Sequence, residues 1–253
     1  MTATRPAGSV CLVTGATGGI GRATALALAR RDARLLLSGR DEQRLADVAR
    51  ETGGTPVSAD LARPGAGTSL AARALDVTGR IDVVVHAAGE GRFGPAAALD
   101  PAELERLVAV NVTSVIELSC ALLPGMLERR AGHIVTIGSV AGRLGRRHEA
   151  AYAATKAAVS VFSDSLAEEL AGSGVSASLI TPGVVDTAFF ERRGAAYDRA
   201  WPRPVPPEAV AERVVDVLRM PRDEVVVPGF LSVALRVRGA LPGVYRALAS
   251  RFG

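Results

Sequence analysis

Tyr152 and Lys156 stand four positions apart in the segment Tyr152-Ala153-Ala154-Thr155-Lys156. On a helix that spacing sets the phenol and the ammonium on one face. A free phenol titrates at about 10, too high for efficient proton transfer at neutral pH. A neighbouring cation favours phenolate, so Lys156 is expected to lower the Tyr152 pKa and make the phenol a proton carrier. An ammonium is a compact point charge that can also hydrogen-bond a ribose, which the planar fork of arginine does not reproduce. Among the 30 basic residues Lys156 is the only lysine, and Asn111 is the only asparagine of the chain. The bare spacing also fits a surface pair without chemistry.

A second chemistry-bearing segment lies near the start. Thr14-Gly15-Ala16-Thr17-Gly18-Gly19-Ile20-Gly21 follows an apolar run and opens a helical pattern. Its glycines permit a tight turn and close backbone approach, and a helix N-terminus offers free N–H groups to a pyrophosphate. The expected ligand is a dinucleotide held by Gly15, Thr17, Gly18, Gly19, Ile20 and Gly21.

With these two segments in place, the sequence resembles the short-chain dehydrogenase/reductase family, whose motifs are TGxxxGxG and YxxxK. The resemblance runs from Val10 to about Val227. Ser139, in the run Ile134 to Gly142, and Asn111, between Val110 and Val112, match the family's active-site serine and asparagine by motif and order. It implies that Asn111, Ser139, Tyr152 and Lys156 form the catalytic set. Tyr152 would give a proton to a developing alkoxide, Ser139 would orient the same oxygen, and Asn111 would anchor a water that relays protons to Lys156. It also implies that Asp60, with Leu61, meets the adenine, and that Lys156 holds the nicotinamide ribose beside Tyr152. Ala88 and Gly89 match the end of the family's NNAG, whereas His86 and Ala87 depart from it; His86 is read as structural. Thr181-Pro182-Gly183-Val184-Val185-Asp186-Thr187 resembles the family's PGxxxT, which places Pro182, Gly183, Val185 and Thr187 at the nicotinamide end.

Family members that use NAD carry an acidic residue at the end of the second strand. This chain has Ser38-Gly39-Arg40 there. A guanidinium pairs with a 2′-phosphate and a carboxylate repels one, so NADP(H) is favoured over NAD(H), with Arg40 as reader and Ser38 helping. Arg22 either assists or is solvated, and Asp41 is expected to cap the next helix. The reading is an NADPH-dependent carbonyl reductase or alcohol dehydrogenase acting on an apolar ketone or secondary alcohol. The alternative is a catalytically silent NADP-binding sensor or scaffold of the same fold.

By the same resemblance, residues 188–207 form a substrate lid. Its Phe189, Phe190, Tyr197 and Trp201 line an apolar pocket or pack the lid down, and Phe93 joins either arrangement. Arg146, Arg147 and His148 are read as solvated rather than as partners of an acidic group. The tail, 228–253, carries Arg236, Arg238, Arg246 and Arg251; it is read as a flap, with membrane contact the less favoured reading. The family often pairs the helices carrying Asn111 and Tyr152, so a homo-dimer or homo-tetramer is expected, with Ala157, Ala158, Val161 and Phe162 on the paired face or turned to the sheet.

These residues need elements to place them. Apolar runs at Ser9–Thr14, Ala33–Ser38, Thr55–Ala59, Ile81–His86, His133–Ile137, Ser176–Ile180 and Glu224–Val227 read as strands. Helical patterns fall at Gly19–Arg31, Asp41–Glu51, near Thr68–Val77, at Pro101–Arg130 with a kink near Pro124, at Glu149–Ala171 and at Glu208–Arg219. Strands that are near-continuous Val, Ile and Leu runs are buried on both faces. The expected fold is therefore one α/β domain, 1–253, a doubly wound parallel sheet of about seven strands with helices on both faces.

The composition of the 253 residues excludes several other classes. With 48% hydrophobic residues and a net charge of +4, the chain is not a disordered one. Its two cysteines, Cys11 and Cys120, are too few for a disulfide framework or a cysteine zinc site, and no metal is expected. Both are read as buried small hydrophobes, which with the absence of an N-terminal signal pattern points to the cytoplasm. No stretch reads as a membrane span; the best candidate, Val225 to Leu248, is broken by Pro228, Arg236, Arg238 and Pro242. Arginine is scattered without a nucleic-acid motif, so the partner is a small-molecule substrate.

Overall fold

In the computed structural model, which describes residues 2–198, 201–243 and 245, the Val- and Leu-rich runs become parallel strands. They are β1 (Val10–Thr14), β2 (Arg34–Ser38), β3 (Thr55–Pro56), β4 (Val83–His86), β5 (Gly132–Ile137), β6 (Val175–Pro182) and β7 (Glu224–Val227). Their order in the single sheet is β3-β2-β1-β4-β5-β6-β7, all neighbours parallel. Every residue of β1, β4, β5 and β6 is buried, as strands covered on both faces require. The order reverses direction between β1 and β4. The C-terminal ends of those two strands therefore open a crevice, the place where doubly wound sheets bind ligands.

The helices are α1 (Gly19–Ala29), α2 (Glu42–Thr52), α3 (Ala66–Thr78), α4 (Pro101–Val108), α5 (Ser114–Glu128), α6 (Val140–Leu144), α7 (Ala150–Glu169), α8 (Phe189–Arg192), α9 (Pro207–Arg219) and α10 (Leu231–Ala240). One apolar cluster lies between the sheet and α1, α2 and α9, around Leu28, Leu37, Val85 and Val214. The other lies between the sheet and α3, α5 and α7, around Leu12, Leu70, Leu118 and Ile134. Asp41 caps α2 as expected, its side chain accepting the Arg44 N–H at 3.0 Å.

Four local expectations are corrected. The third strand is two residues long, not five. Pro56 supplies no N–H, and beyond it single bonds, Val57 N–H to Leu37 O and Ala59 N–H to Gly39 O, keep the edge alongside β2. The expected helix over 101–130 is interrupted by a π turn over Ala109–Thr113, around Asn111, and Pro124 lies inside the helix that follows. Pro124 and Cys120, whose carbonyl it leaves unbonded, are both exposed, so water can satisfy that group. Cys120 is thus an exposed cysteine, not a buried one. Finally, residues Pro101–Glu128 form one helical run long and apolar enough to cross a bilayer, with mean hydropathy 1.8 over its most apolar window. Here it is a core helix instead. A Cβ on Gly67 of α3 would lie 2.6 Å from Ser114 O, so α3 packs backbone-close onto α5.

Candidate active site

A cleft of about 550 Å³ opens along the C-terminal edge of the sheet. The glycine turn forms its floor. Gly15 has φ +64°, and a Cβ there would fall 2.6 Å from the Ala88 backbone; a Cβ on Gly21 would fall 2.1 Å from Gly15 O. Only glycine lets β1, the loop after β4 and the start of α1 approach so closely. No side chain caps α1, so its first-turn N–H groups are left for a ligand at the cleft. Gly15, Thr17, Gly18, Gly19, Ile20 and Gly21 all line it.

At one end of the cleft are Ser38, Arg40, Asp60 and Leu61, brought in by β2 and the chain after β3. Ser38 Oγ is buried with no hydrogen-bond partner, an orphaned polar atom that a ribose or phosphate oxygen would satisfy. This orphan and the glycine floor fit a dinucleotide. Arg40 is half-exposed and its guanidinium donates to Glu90 Oε1 at 2.7 Å. Arg106 of α4 holds the same carboxylate through Nε and Nη2, and its Nη2 lies 3.6 Å from Asp60 Oδ1. Glu90 and Arg106 were not singled out from the sequence; each reads there as an ordinary solvated charge. Arg22 points elsewhere, to Glu51 of α2.

At the inner end β5 and α7 bring Ser139, Tyr152 and Lys156 together. Ser139 caps α6, its Oγ accepting the Ala141 N–H at 3.1 Å, and it lies close enough to the Tyr152 phenol to pull that group's pKa down. Lys156 Nζ donates to Ile137 O at 2.9 Å, which leaves two of its three hydrogens for the cleft. The electrostatics differ from expectation. Burial pushes the Tyr152 phenol up to about 12; the Ser139 hydrogen bond and Arg193 pull down, and Glu149 pushes up further. Burial also brings Lys156 down to about 8. The phenol is therefore a held proton, not a phenolate stabilised by Lys156.

Of the sequence-derived site residues, Asn111 does not line the cleft. It is buried behind it, on the π turn. Its Oδ1 accepts the Glu90 N–H at 2.8 Å, and its Nδ2 donates to Glu90 O at 2.8 Å and to Thr155 Oγ1 at 3.0 Å. A Cβ on Gly89 would lie 3.5 Å from both Asn111 Oδ1 and Lys156 Nζ, so the three groups meet beside the cleft wall. His86 is buried and bonded to Ser119 Oγ at 2.9 Å through Nε2; burial, with Lys156 adding, brings its pKa down to about 3. It is a neutral structural histidine.

The loop after β6 closes the remaining side. Pro182, Gly183, Val185 and Thr187 line the cleft, as do Ala88 and Gly89 opposite. A Cβ on Gly19 would lie 2.2 Å from Thr187 Cγ2, and one on Gly183 2.5 Å from Leu231 of α10. Over Tyr152 runs a chain of rings: Tyr152 to Phe189 at 5.5 Å, Phe189 to Phe190 at 5.7 Å and Phe190 to Tyr197 at 5.5 Å. Phe189, Phe190 and Tyr197 line the cleft. Trp201 does not; it is exposed and stacks on Phe230. Phe93 packs on His148, with Arg193 over its face. Arg193, buried, pairs with buried Glu149 and also covers Phe190, a link between the ring-bearing segment and the start of α7 that the sequence did not disclose. Arg146 reaches the cleft, and Arg147 and His148 do not. Arg199, Ala200, Arg246 and Arg251 lie outside the described residues.

Residues 9–198 match the family model for short chain dehydrogenases. The chain is 31% identical over 261 residues to dehydrogenase/reductase SDR family member 7B of Mus musculus, covering 96% of this chain and 81% of that one. Among solved structures, a short-chain dehydrogenase from Sphingobium yanoikuyae in complex with NADPH aligns with a TM-score of 0.81 at 30% identity, over 97% of this chain and 96% of the other. A short chain dehydrogenase/reductase from Burkholderia phymatum in complex with NAD aligns with a TM-score of 0.83 at 26% identity, over 93% and 94%.

Proposed function

From the premise that this chain belongs to the short-chain dehydrogenase/reductase family and is an NAD(P)-dependent oxidoreductase, we propose that it is an NADPH-dependent carbonyl reductase, reversible to an alcohol dehydrogenase. Its substrate is an apolar or aromatic ketone or secondary alcohol. The observation that carries this reading is the buried Tyr152 phenol, which lines the dinucleotide cleft with Ser139 and Lys156 and is roofed by Phe189.

The nicotinamide, when bound, supplies or accepts the hydride. The protein supplies position and protons. The first-turn N–H groups of α1 would hold the pyrophosphate, and Ser38 and Arg40 would meet the adenosine ribose and its 2′-phosphate. Asp60 and Leu61 would flank the adenine, while Ala88, Gly89, Pro182, Gly183, Val185 and Thr187 would wall the remainder. The Ser139 hydroxyl orients the carbonyl oxygen, and Tyr152 gives that oxygen its proton. With its pKa at about 12, the phenol is protonated throughout the physiological range and gives up its proton only to a strongly basic, alkoxide-like oxygen. Lys156, still largely charged at pH 7, donates to the ribose and favours transient phenolate. The ring-bearing segment after β6 acts as the lid, and its rings exclude water from the transfer. The described part of the tail, which packs Leu231 on Gly183, acts as the flap.

NADPH rather than NADH is supported by Arg40, which lines the cleft with a half-exposed guanidinium and no acidic residue at the end of β2. The S. yanoikuyae relative holds NADPH and the B. phymatum relative holds NAD, so the family context allows either. The reading extends to a cytoplasmic homo-dimer or homo-tetramer without a nucleic-acid partner, with membrane contact through the tail the less favoured alternative. It draws support from two free cysteines and from Val161 of α7 and Leu127 of α5, which are exposed. Sedimentation of the purified protein tests the subunit count.

The decisive test is a titration with NADPH and with NADH, followed by aryl-ketone reduction with the tighter cofactor. Tighter NADPH, weakened by Arg40→Ala, and turnover lost in Tyr152→Phe support the reading. Tighter NADH overturns the cofactor assignment. Binding without turnover on any carbonyl tried, with Tyr152 intact, favours the silent-binder alternative.

A further inference from the structure

Arg40 is not an open anion receptor. Its Nη1 is already held 2.7 Å from Glu90 Oε1. Glu90 in turn is fixed in place from both directions. Its main-chain N–H and C=O are both bonded to the buried carboxamide of Asn111. Its carboxylate takes three contacts of 2.8–3.2 Å from Arg106, whose pKa rises chiefly through that hydrogen bond. Arg106 also reaches Asp60. All four side chains line the same end of the cleft. Two guanidinium groups therefore face two carboxylates, and Arg44 and Asp41, which also line the cleft, add one charge of each sign.

We propose that Glu90 is a specificity-determining residue for the cofactor: its carboxylate occupies Arg40 in the place a 2′-phosphate would take, and so holds down the preference for NADPH over NADH. The proposal rests on the reading that Arg40 faces the 2′-phosphate. A phosphate monoester carries more charge than a carboxylate and offers three acceptor oxygens, so it wins Arg40. Glu90 does not leave when displaced, because Asn111 holds its backbone and Arg106 its carboxylate. It stays beside the phosphate as a like charge. With NADH no displacement is needed. The Arg40–Glu90 pair stays intact, and the carboxylate can accept a hydrogen bond from a ribose hydroxyl. One residue thus taxes one cofactor and tolerates the other.

The test measures dissociation constants for NADPH and NADH, at one fixed ionic strength, in the wild-type protein and in Glu90→Gln, Arg40→Ala and the double variant. Glu90→Gln keeps the side-chain shape and removes the charge. The expected result is NADPH binding tighter by about tenfold, the scale of one unit charge a few ångström from a dianion near the surface, with NADH unchanged or weaker. The gain should shrink in the Arg40→Ala background, where Glu90 no longer competes for a guanidinium and only its like charge remains. Glu90→Ala, with thermal unfolding as a control, repeats the comparison should glutamine keep a hydrogen bond to Arg40. If Arg40→Ala weakens NADPH but neither Glu90 variant tightens it, Glu90 merely preorganises Arg40 and this proposal alone is overturned. A gain of undiminished size without Arg40 also overturns it, as a general charge effect. If Arg40→Ala leaves NADPH affinity unchanged, the 2′-phosphate reading fails and takes this proposal with it.

Discussion

The carboxamide of Asn111 closes on both backbone groups of Glu90, accepting its N–H and donating to its C=O at 2.8 Å each, 21 residues away in the chain. Its second Nδ2 hydrogen goes to Thr155 on α7. One side chain thus ties the loop after β4, which walls the dinucleotide cleft, to the helix that carries Tyr152 and Lys156. The π turn at Ala109–Thr113 places it there. No shorter side chain spans the three bonds, and aspartate lacks the two donors.

Asn111→Ala should therefore act on stability as well as on activity. It leaves the Glu90 N–H and C=O without their partner, at about 1–3 kcal/mol per buried group, and takes one donor from Thr155 Oγ1, which still donates to Tyr152 O. A total near 3 kcal/mol corresponds to a fall in Tm of roughly 6–12 °C for a chain of this size. Asn111→Asp keeps the acceptor and loses the donors, so it should fall between. Thermal unfolding of the three proteins measures this; an unchanged Tm in the alanine variant would show that these bonds carry no net weight.

The titration of Lys156 predicts the pH profile of reduction. Burial holds its pKa at about 8, while Tyr152 keeps its proton to about 12. As pH rises through about 8, Lys156 loses the charge that favours transient phenolate, and kcat/KM for reduction should fall. Loss of the Tyr152 proton contributes nothing in that range. A profile from pH 6 to 10 tests the point, and a flat line from 7 to 9 would sink it. Tyr152→Phe should lower kcat by about 10²–10⁴ while leaving NADPH affinity nearly intact.

Glu149 and Arg193 are both about 6% exposed and paired, which makes their loss asymmetric. Arg193→Met strands a buried carboxylate and should cost about 3–5 kcal/mol in urea unfolding. Adding Glu149→Gln removes the stranded charge and should recover much of that cost. Strict additivity of the two substitutions would mean that they do not interact. Because Arg193 also stacks on Phe190 and Phe93, the single variant should raise KM for aromatic ketones more than it lowers kcat.

Two buried histidines set the acid limb of stability. His86 is held neutral at about 3, and His133, bonded to Ser178 through Nε2, at about 4, both chiefly by burial. In the unfolded chain each titrates at about 6.5. Between those values the unfolded state binds more protons, so stability is full above about pH 6.5 and is lost progressively as pH falls toward 4. Urea midpoints at pH 7, 6 and 5 should decline in order. His86→Gln and His133→Gln should each flatten the decline.

Much of this site is legible in the chain because it depends on local periods. The helical repeat of 3.6 puts Tyr152 and Lys156 on one face whatever packs around them. Glycines at 15, 19 and 21 announce backbone that must approach other backbone, and the structure supplies the contacts at Ala88, Thr187 and Gly15. Continuous Val and Leu runs announce strands covered on both faces, and seven of them form the sheet. Where local pattern is ambiguous, tertiary context decides the outcome. Pro56 cut short the third strand, and a π turn interrupts the helix around Asn111.

The sequence by itself determined which residues could do the chemistry, their order along the sheet edge and the dinucleotide floor, since each follows from residue type and spacing within one element. Only the tertiary structure decided how they are paired and charged. Arg40 with Glu90 (50 residues apart), Glu90 with Arg106, and Glu149 with Arg193 are pairings between elements, and no periodicity carries them. The protonation states were decided there as well. On an isolated helix Lys156 would pull the Tyr152 phenol down, but in the folded protein both groups leave water, and burial moves the phenol up and the ammonium down. Desolvation depends on everything packed around a group, so it exists only once the chain has folded.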